Sequence, residues 1–138
     1  MADSGQVGGR TQTALQFHRT GQIIPAAGNT VLLDLTVQGL AHLGVEIKPT
    51  VNDLDAFVVE AKFHPGGDWV SLYTAITSTP AGLILAASGT LASLAAAATG
   101  WFIMDVRGLY GVRVSASGSV NNLTAVDTYA GGYAGVPV

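Results

Sequence analysis

Residues 57–68, Phe-Val-Val-Glu-Ala-Lys-Phe-His-Pro-Gly-Gly-Asp, decide the fold class of this chain of 138 residues. Apolar side chains recur at every second position, which is the pattern of a strand with one buried face. The predicted buried face consists of Phe57, Val59, Ala61 and Phe63. The Pro-Gly-Gly-Asp segment suits a short hairpin loop, so residues 69–76 are the predicted return strand. The stretch therefore predicts an antiparallel hairpin.

Similar runs recur along most of the chain. A second alternating run follows the turn-like residues 27–29, and its predicted inward side chains are Val31, Leu33, Leu35 and Val37. Further strands are predicted at residues 15–24, 43–48, 101–107, 110–116 and 123–130. About eight strands separated by turn signals predict an all-β chain, folded as a single β-sandwich or jelly-roll-like domain.

The distribution of small and polar residues sets the predicted domain boundaries. Residues 1–12 lack periodicity and are predicted to form a flexible, extended N-terminal arm. The β-sandwich domain is predicted over residues 13–130, and residues 131–138 are predicted to form a glycine-rich C-terminal tail. Residues 90–98 combine helical spacing with many alanines, so they predict either a short helical turn or an extended connection.

The composition indicates a surface suited to partners. Charged residues make up 11% of the chain, and the net charge is −3. A weakly charged surface favours contact with other proteins, and without a basic stripe no nucleic-acid partner is expected. There are no cysteines. Neither a signal peptide nor a membrane partner is expected, because the most apolar stretch, 83–98, falls short of the roughly 20 residues that span a bilayer.

The polar residues do not form a recognisable catalytic motif. The histidines, His18, His42 and His64, stand alone in sequence and are interpreted as surface or strand-edge residues. Asn52, Asp53 and Asp55 lack the glycine and the glutamate of a calcium loop, so they are interpreted as solvated turn residues. No Gly-x-Ser-x-Gly turn is present to activate a serine. The chain is expected not to be an enzyme and to bind no cofactor or metal.

Aromatic and charged residues within the strands have alternative interpretations. Five aromatic residues suit either of two roles, a sugar-stacking platform or packing in a core or subunit interface. They are Trp69, Tyr73, Trp101, Tyr110 and Tyr129. Asp105 and Arg113 each lie among large apolar residues, and they are predicted to form a structural ion pair.

Residues 100–114, Gly-Trp-Phe-Ile-Met-Asp-Val-Arg-Gly-Leu-Tyr-Gly-Val-Arg-Val, resemble small β-sandwich virion proteins of tailed bacteriophages. The shared pattern is an apolar-Asp-apolar strand that leads through Gly-apolar to an apolar-Arg-apolar strand. It extends to the Gly-x-Trp-x-x-Leu segment at 67–72 and to Ser-Gly-Thr-Leu at 88–91, and it covers about half the chain. The resemblance implies a protein that decorates or cements the outside of phage heads, or one that serves in the tail.

These expectations combine into one functional hypothesis. The chain is expected to be a virion structural protein at the capsid surface, assembled in the host cytoplasm, with itself (a trimer is favoured) and the major capsid protein as partners. A tail or baseplate component and a carbohydrate-binding β-sandwich module are the alternatives. The arm is expected to make the contact over residues 5–17. The predicted assembly interface comprises Gln6, Val7, Arg10, Leu15, Phe17, Trp69 and Tyr73.

Overall fold

Nine antiparallel strands form the part of the chain that the computed structural model describes, residues 14–73, 84–87 and 94–134. The strands are β1 (Ala14–Ile24), β2 (Asn29–Thr36), β3 (His42–Pro49), β4 (Leu54–Lys62), β5 (Val70–Tyr73), β6 (Ile84–Ala87), β7 (Gly100–Asp105), β8 (Gly111–Gly118) and β9 (Thr124–Tyr133). These ranges contain no helix. The all-β prediction is confirmed, and β6 is a strand that the sequence did not predict.

The strands form two sheets that pack as a single β-sandwich, as predicted. One sheet has five strands in the order β1-β9-β3-β7-β6, and the other has four in the order β2-β8-β4-β5. From β1 to β4 the chain changes sheet at every connection, and it does so again between β7, β8 and β9. Neighbouring strands within a sheet are therefore mostly distant in sequence, and the inner faces of both sheets share one core.

Alternating apolar side chains fill this core. Its largest fully buried side chains are Phe57, Phe102, Ile24, Leu32, Leu33, Leu43, Ile47, Leu54 and Met104. Burial of each one removes enough apolar surface from water to contribute about 1.5–3 kcal/mol. On β4, Phe57, Val59 and Ala61 are buried as predicted. Phe63 is 55% exposed, contrary to the prediction, because β4 ends at Lys62 and the hairpin loop begins there.

Strand β2 contains a bulge, and the side chain predicted to point inward before it points outward instead. The pairing of β2 with β8 shifts register between Val31 and Leu33, which inserts Leu32 as an extra residue. Leu32 and Leu33 are both buried, whereas Val31, predicted to face inward, is 40% exposed. An inserted residue moves the side chains before it to the opposite face of the strand, and alternation alone cannot reveal it.

The hairpin predicted after β4 is present. Strand β5 returns antiparallel to β4, and Gly67 N donates to His64 O across the loop at 2.9 Å. Residues 74–76, predicted to continue the return strand, lie outside the described residues. In the segment 90–98 the description begins at Leu94, which bridges to Leu54, and the chain then turns with Ala98 N bonded to Ala95 O at 3.0 Å.

Side chains of β1 cover the adjacent edge of the other sheet. Strands β1 and β2 are edge strands of their respective sheets. Gln22 Nε2 donates to Val31 O at 2.9 Å, and Arg19 Nη1 donates to Leu32 O at 3.5 Å. Two backbone carbonyls at the edge of β2 are therefore already bonded to side chains from β1.

The last strand is longer than predicted. Strand β9 continues to Tyr133, beyond the predicted boundary at residue 130, whereas the predicted arm, residues 1–12, lies outside the described residues. A Cβ atom at Gly132 would lie 2.7 Å from His42 O and 3.1 Å from Leu40 Cδ1. Glycine is therefore required at this position, because the neighbouring backbone leaves no room for a side chain.

We expect Gly132→Ala to lower the free energy of unfolding by roughly 2 kcal/mol, the typical cost of overpacking. Gly131→Ala is the matched control, because its Cβ would come no closer than 3.8 Å to Leu15 O. The control should leave stability unchanged or raise it by up to about 1 kcal/mol, because glycine inside a strand is less stable than alanine. Urea unfolding of both variants tests this, and equal effects would contradict the steric explanation.

Candidate interaction surface

The outer face of the five-stranded sheet carries a shallow cavity of about 350 Å³. Tyr129, Glu46 and Trp101 are cross-strand neighbours on β9, β3 and β7, and they form one row of outward side chains. The adjacent row consists of Gly131, Gly44 and Ile103. We name the cavity the glycine trough, and its outward residues are Gly44, Gly131, Glu46, Trp101, Ile103 and Tyr129.

Packing against the described residues does not require the two glycines in the floor. A Cβ at Gly44 would come no closer than 3.8 Å to Gly131 O, which is ordinary van der Waals contact. Neither glycine has a positive φ. Glycine inside a strand costs about 0.5–1 kcal/mol relative to alanine. Such a position often marks a site where a ligand or another backbone approaches closely.

The rim of the glycine trough is apolar and exposed. Trp101, Ile103 and Tyr129 are 38%, 40% and 39% exposed. The ring of His18 on β1 stacks on Tyr129, with centroids 4.5 Å apart and planes inclined by 14°. An exposed apolar patch with a polar surround is typical of an interaction site. The stacking holds the tyrosine ring beside the cavity, so the rim is partly preformed.

Glu46 gives the glycine trough a negative charge. Its exposed side chain lies between Tyr129 and Trp101 in the cross-strand row. Within the ranges that the structure describes, Glu46 makes no side-chain hydrogen bond or ion pair. The trough thus combines a carboxylate, two aromatic rings and an open backbone floor.

The outer face of the four-stranded sheet carries a different arrangement around Trp69. Arg113 Cζ lies 4.5 Å from the centroid of the indole, and Lys62 Nζ lies 4.8 Å from it. Arg113 Nε also donates to Glu60 Oε1 at 2.9 Å. The indole lies over Gly111, where a Cβ would come within 3.4 Å of Trp69 Cη2. Trp69 is therefore held by contacts within its own chain.

The predicted pair of Asp105 and Arg113 is wrong. Arg113 lies on β8 and pairs with Glu60 of the adjacent strand, whereas Asp105 ends β7 in the other sheet. Asp105 instead accepts hydrogen bonds from the backbone N and the side-chain Nε of Arg107, at 3.0 Å and 2.9 Å. Similar apolar flanks in sequence did not reveal that the two residues belong to different sheets.

The structure distributes the predicted assembly residues over separate regions. Leu15 and Phe17 lie on β1 and pack partly against the core, while Trp69 lies at the other sheet. Gln6, Val7 and Arg10 lie outside the described residues, as does the side chain of Tyr73.

Of the five aromatic residues considered as a platform, Trp101 and Tyr129 share the glycine trough. Tyr110 lies in the β7–β8 connection, and Trp69 belongs to the other sheet. Gly44, Gly131 and Glu46 were not predicted as site residues. Their outward positions follow from strand alternation, but their adjacency depends on the pairing of β9 with β3, for which the sequence carries no local signal.

The polar residues considered as metal ligands either make hydrogen bonds to the backbone or lie apart from one another. Asp53 Oδ1 accepts from Ala96 N at 2.9 Å, and Asn52 Nδ2 donates to Leu123 O at 2.7 Å. Among the residues that the structure describes, no three metal-ligating side chains come together. The same residues include no helix with the length and hydropathy needed to span a membrane.

Comparison with known proteins yields likeness of structure only. No family model and no curated protein matches the sequence. The crystal structure of the SPBc2 prophage-derived protein YomS is similar, with a TM-score of 0.52 and 14% identity over 89% of this chain and 93% of that chain. A protein of Bacillus endospore appendages, described as disulfide-linked pili, has a TM-score of 0.44 and 12% identity over 96% of this chain and 97% of that chain. The likeness to YomS supports the sandwich fold.

We expect a double-mutant cycle on Glu60 and Arg113 to give a coupling free energy of about 1 kcal/mol, because the pair is partly buried and hydrogen-bonded. The matched cycle on Asp105 and Arg113 should give less than about 0.5 kcal/mol. Chemical denaturation of the single and double variants measures both. Comparable coupling in the two cycles would contradict the observed pairing.

The Asp105 carboxyl should titrate at unusually low pH. Hydrogen bonds from the Arg107 side chain, then from its backbone N, lower the pKa of Asp105 to about 2. A lowered pKa means that this contact stabilises the fold above the ordinary carboxyl range, and that the stabilisation is lost as pH falls through 2. Arg107→Gln should raise the pKa of Asp105 part of the way to 3.8, because the backbone donor remains.

Carboxyl-carbon NMR titration measures this pKa, and Lys48→Gln is the control that should leave it unchanged. An unaltered titration of Asp105 in Arg107→Gln would contradict the assigned cause.

Proposed function

We propose that this chain is a structural component of a tailed-bacteriophage virion, a decoration or cement protein that binds the exterior of the assembled capsid. The observation that carries the proposal is the glycine trough, an exposed apolar surface at the centre of the five-stranded sheet. Fold likeness to a prophage-derived protein supports it. So do the low charge and the resemblance of residues 100–114 to small virion proteins.

The proposed role is binding without catalysis. A protein that binds the assembled lattice but not free capsid subunits stabilises the lattice by mass action. At a free concentration of 100 times its dissociation constant, each occupied site contributes about 2.7 kcal/mol. The proposed partners are further copies of this chain, with a trimer favoured, and the major capsid protein. In a symmetric oligomer several weak contacts act together through their high effective concentration.

Carbohydrate binding is the second candidate. Trp101 and Tyr129 could stack on sugar rings, and Glu46 between them could accept hydrogen bonds from sugar hydroxyls. Glycan-array binding that is lost in Trp101→Ala, by a protein absent from particles, would favour this candidate. A tail or baseplate role would instead appear as a low copy number confined to the tail.

We expect deletion of residues 1–12 to reduce retention on purified phage particles at least tenfold, because the predicted arm supplies part of the contact. Circular dichroism should show the sandwich unchanged, since the described strands begin at Ala14. Quantitative mass spectrometry of particles carrying the full-length or the shortened chain measures retention, and electron microscopy locates the protein.

A matched control is the Asp34→Asn variant, which alters an exposed residue of the four-stranded sheet. It should be retained like the wild type. Undiminished retention of the shortened chain would contradict the role of the arm, and absence of the full-length protein from heads would contradict the decoration role.

A further inference from the structure

Each sheet carries a tryptophan and a glutamate on its outer face, but the described residues add an arginine to them only on the four-stranded sheet. On the four-stranded sheet the Arg113 guanidinium lies against the Trp69 ring and bonds to the Glu60 carboxylate. On the five-stranded sheet Glu46 and Trp101 are cross-strand neighbours, and the described residues place no guanidinium on them. A planar guanidinium pairs well with a carboxylate and stacks on an aromatic ring. The glycine trough therefore suits an arginine supplied from elsewhere.

Three of the four arginines in the sequence already have contacts within their own chain. Arg113 pairs with Glu60, and Arg107 pairs with Asp105. Arg19 lies over the ring of Phe17 at 5.3 Å and bonds to Gln22. The fourth is Arg10, in the segment before β1.

The segment 5–13, Gly-Gln-Val-Gly-Gly-Arg-Thr-Gln-Thr, matches the glycine trough in charge and size. It contains one cation and no acid, and the exposed Glu46 offers the complementary charge. Two consecutive glycines precede Arg10. A backbone without side chains can approach the open floor formed by Gly44 and Gly131 more closely than any other segment could.

The direction of β1 favours a second copy as the source of this segment. Ala14 begins β1 and pairs with Tyr133, the last residue of β9, whereas the trough lies further inside the sheet at Gly131. A segment that continues the line of β1 leaves the sheet and would need to reverse to reach its own trough. Nine extended residues span roughly 30 Å, which is enough to reach a neighbouring copy.

We infer that the glycine trough of one copy binds residues 5–13 of a second copy, with the Arg10 guanidinium between Glu46 and Trp101. The inference rests on the structural role proposed above, and it specifies the partner of the N-terminal segment as another copy of this chain. Each copy would donate one segment and accept one, so the contact can close into a ring.

Photo-crosslinking can locate the segment, because the sequence has no cysteine that would compete for a label. A benzophenone is attached to Thr11→Cys, and this protein is mixed with ¹⁵N-labelled wild-type chain before irradiation. We expect mass spectrometry to find unlabelled segment joined to ¹⁵N peptides from β3, β7 or β9. Cross-links confined to the unlabelled chain, or to the outer face of the four-stranded sheet, would overturn the inference.

Self-association provides the second test. Arg10→Ala removes the guanidinium, and Gly44→Val fills the floor at a position with space for a side chain. We expect both variants to weaken self-association at least tenfold in sedimentation equilibrium while keeping the wild-type circular dichroism spectrum. Thr36→Val is the matched control, an exposed strand position on the other sheet, and it should associate like the wild type. A monomeric wild type, or normal association of Gly44→Val, would overturn the inference.

The outcomes separate this inference from the proposed function. Self-association through the trough by a protein that is absent from phage particles would support the inference and contradict the virion role. Retention of a monomeric protein on particles would support the virion role and overturn the inference.

Discussion

The shared burial of two sheet faces is the constraint on which the rest of this structure depends. Because the chain repeatedly changes sheet, Phe57 on one layer and Phe102 on the other belong to a single core. Alternation then sends every second side chain outward. The same alternation that buries Val45 and Ala130 exposes Glu46 and Tyr129, so the composition of the outer surface is linked residue by residue to that of the core.

The outer surface is organised by cross-strand neighbours. Around Trp69 the arrangement is complete, because carboxylate, indole and guanidinium all come from one chain. In the glycine trough the floor and the acid are present, while packing against the residues that the structure describes gives no reason for Gly44 or Gly131. Glycine inside a strand lowers stability. Where no neighbouring atom requires it, such a position typically serves a contact outside the fold.

Much of the fold could be predicted from period-two patterning, and the errors have physical causes. The hairpin around residues 63–69 followed from its Pro-Gly-Gly-Asp loop, and the buried positions of β4 followed from alternation. Val31 was misplaced because a bulge is not visible in residue order. The same limit applies to the ion pair: the partner of Arg113 is set by the pairing of β8 with β4, which brings Glu60 from 53 residues away.

The candidate site was predictable only in part for the same reason. Trp101 and Tyr129 were recognised as aromatic residues of interest, but their meeting across Glu46 requires three strands that are distant in sequence to pair in a specific register. Hydrophobic pattern identifies which face of a strand is buried and leaves open which strand lies beside it.

The covered edge of β2 has a consequence for the form that any assembly can take. Carbonyls that already accept hydrogen bonds from Gln22 and Arg19 are poor templates for a strand from another molecule. At these carbonyls, addition of strand after strand, the route by which β-proteins grow into open fibrils, is disfavoured. Association through the broad face of the other sheet is geometrically different: copies that each donate one segment and accept one can close into a ring, and a closed ring has a limited size.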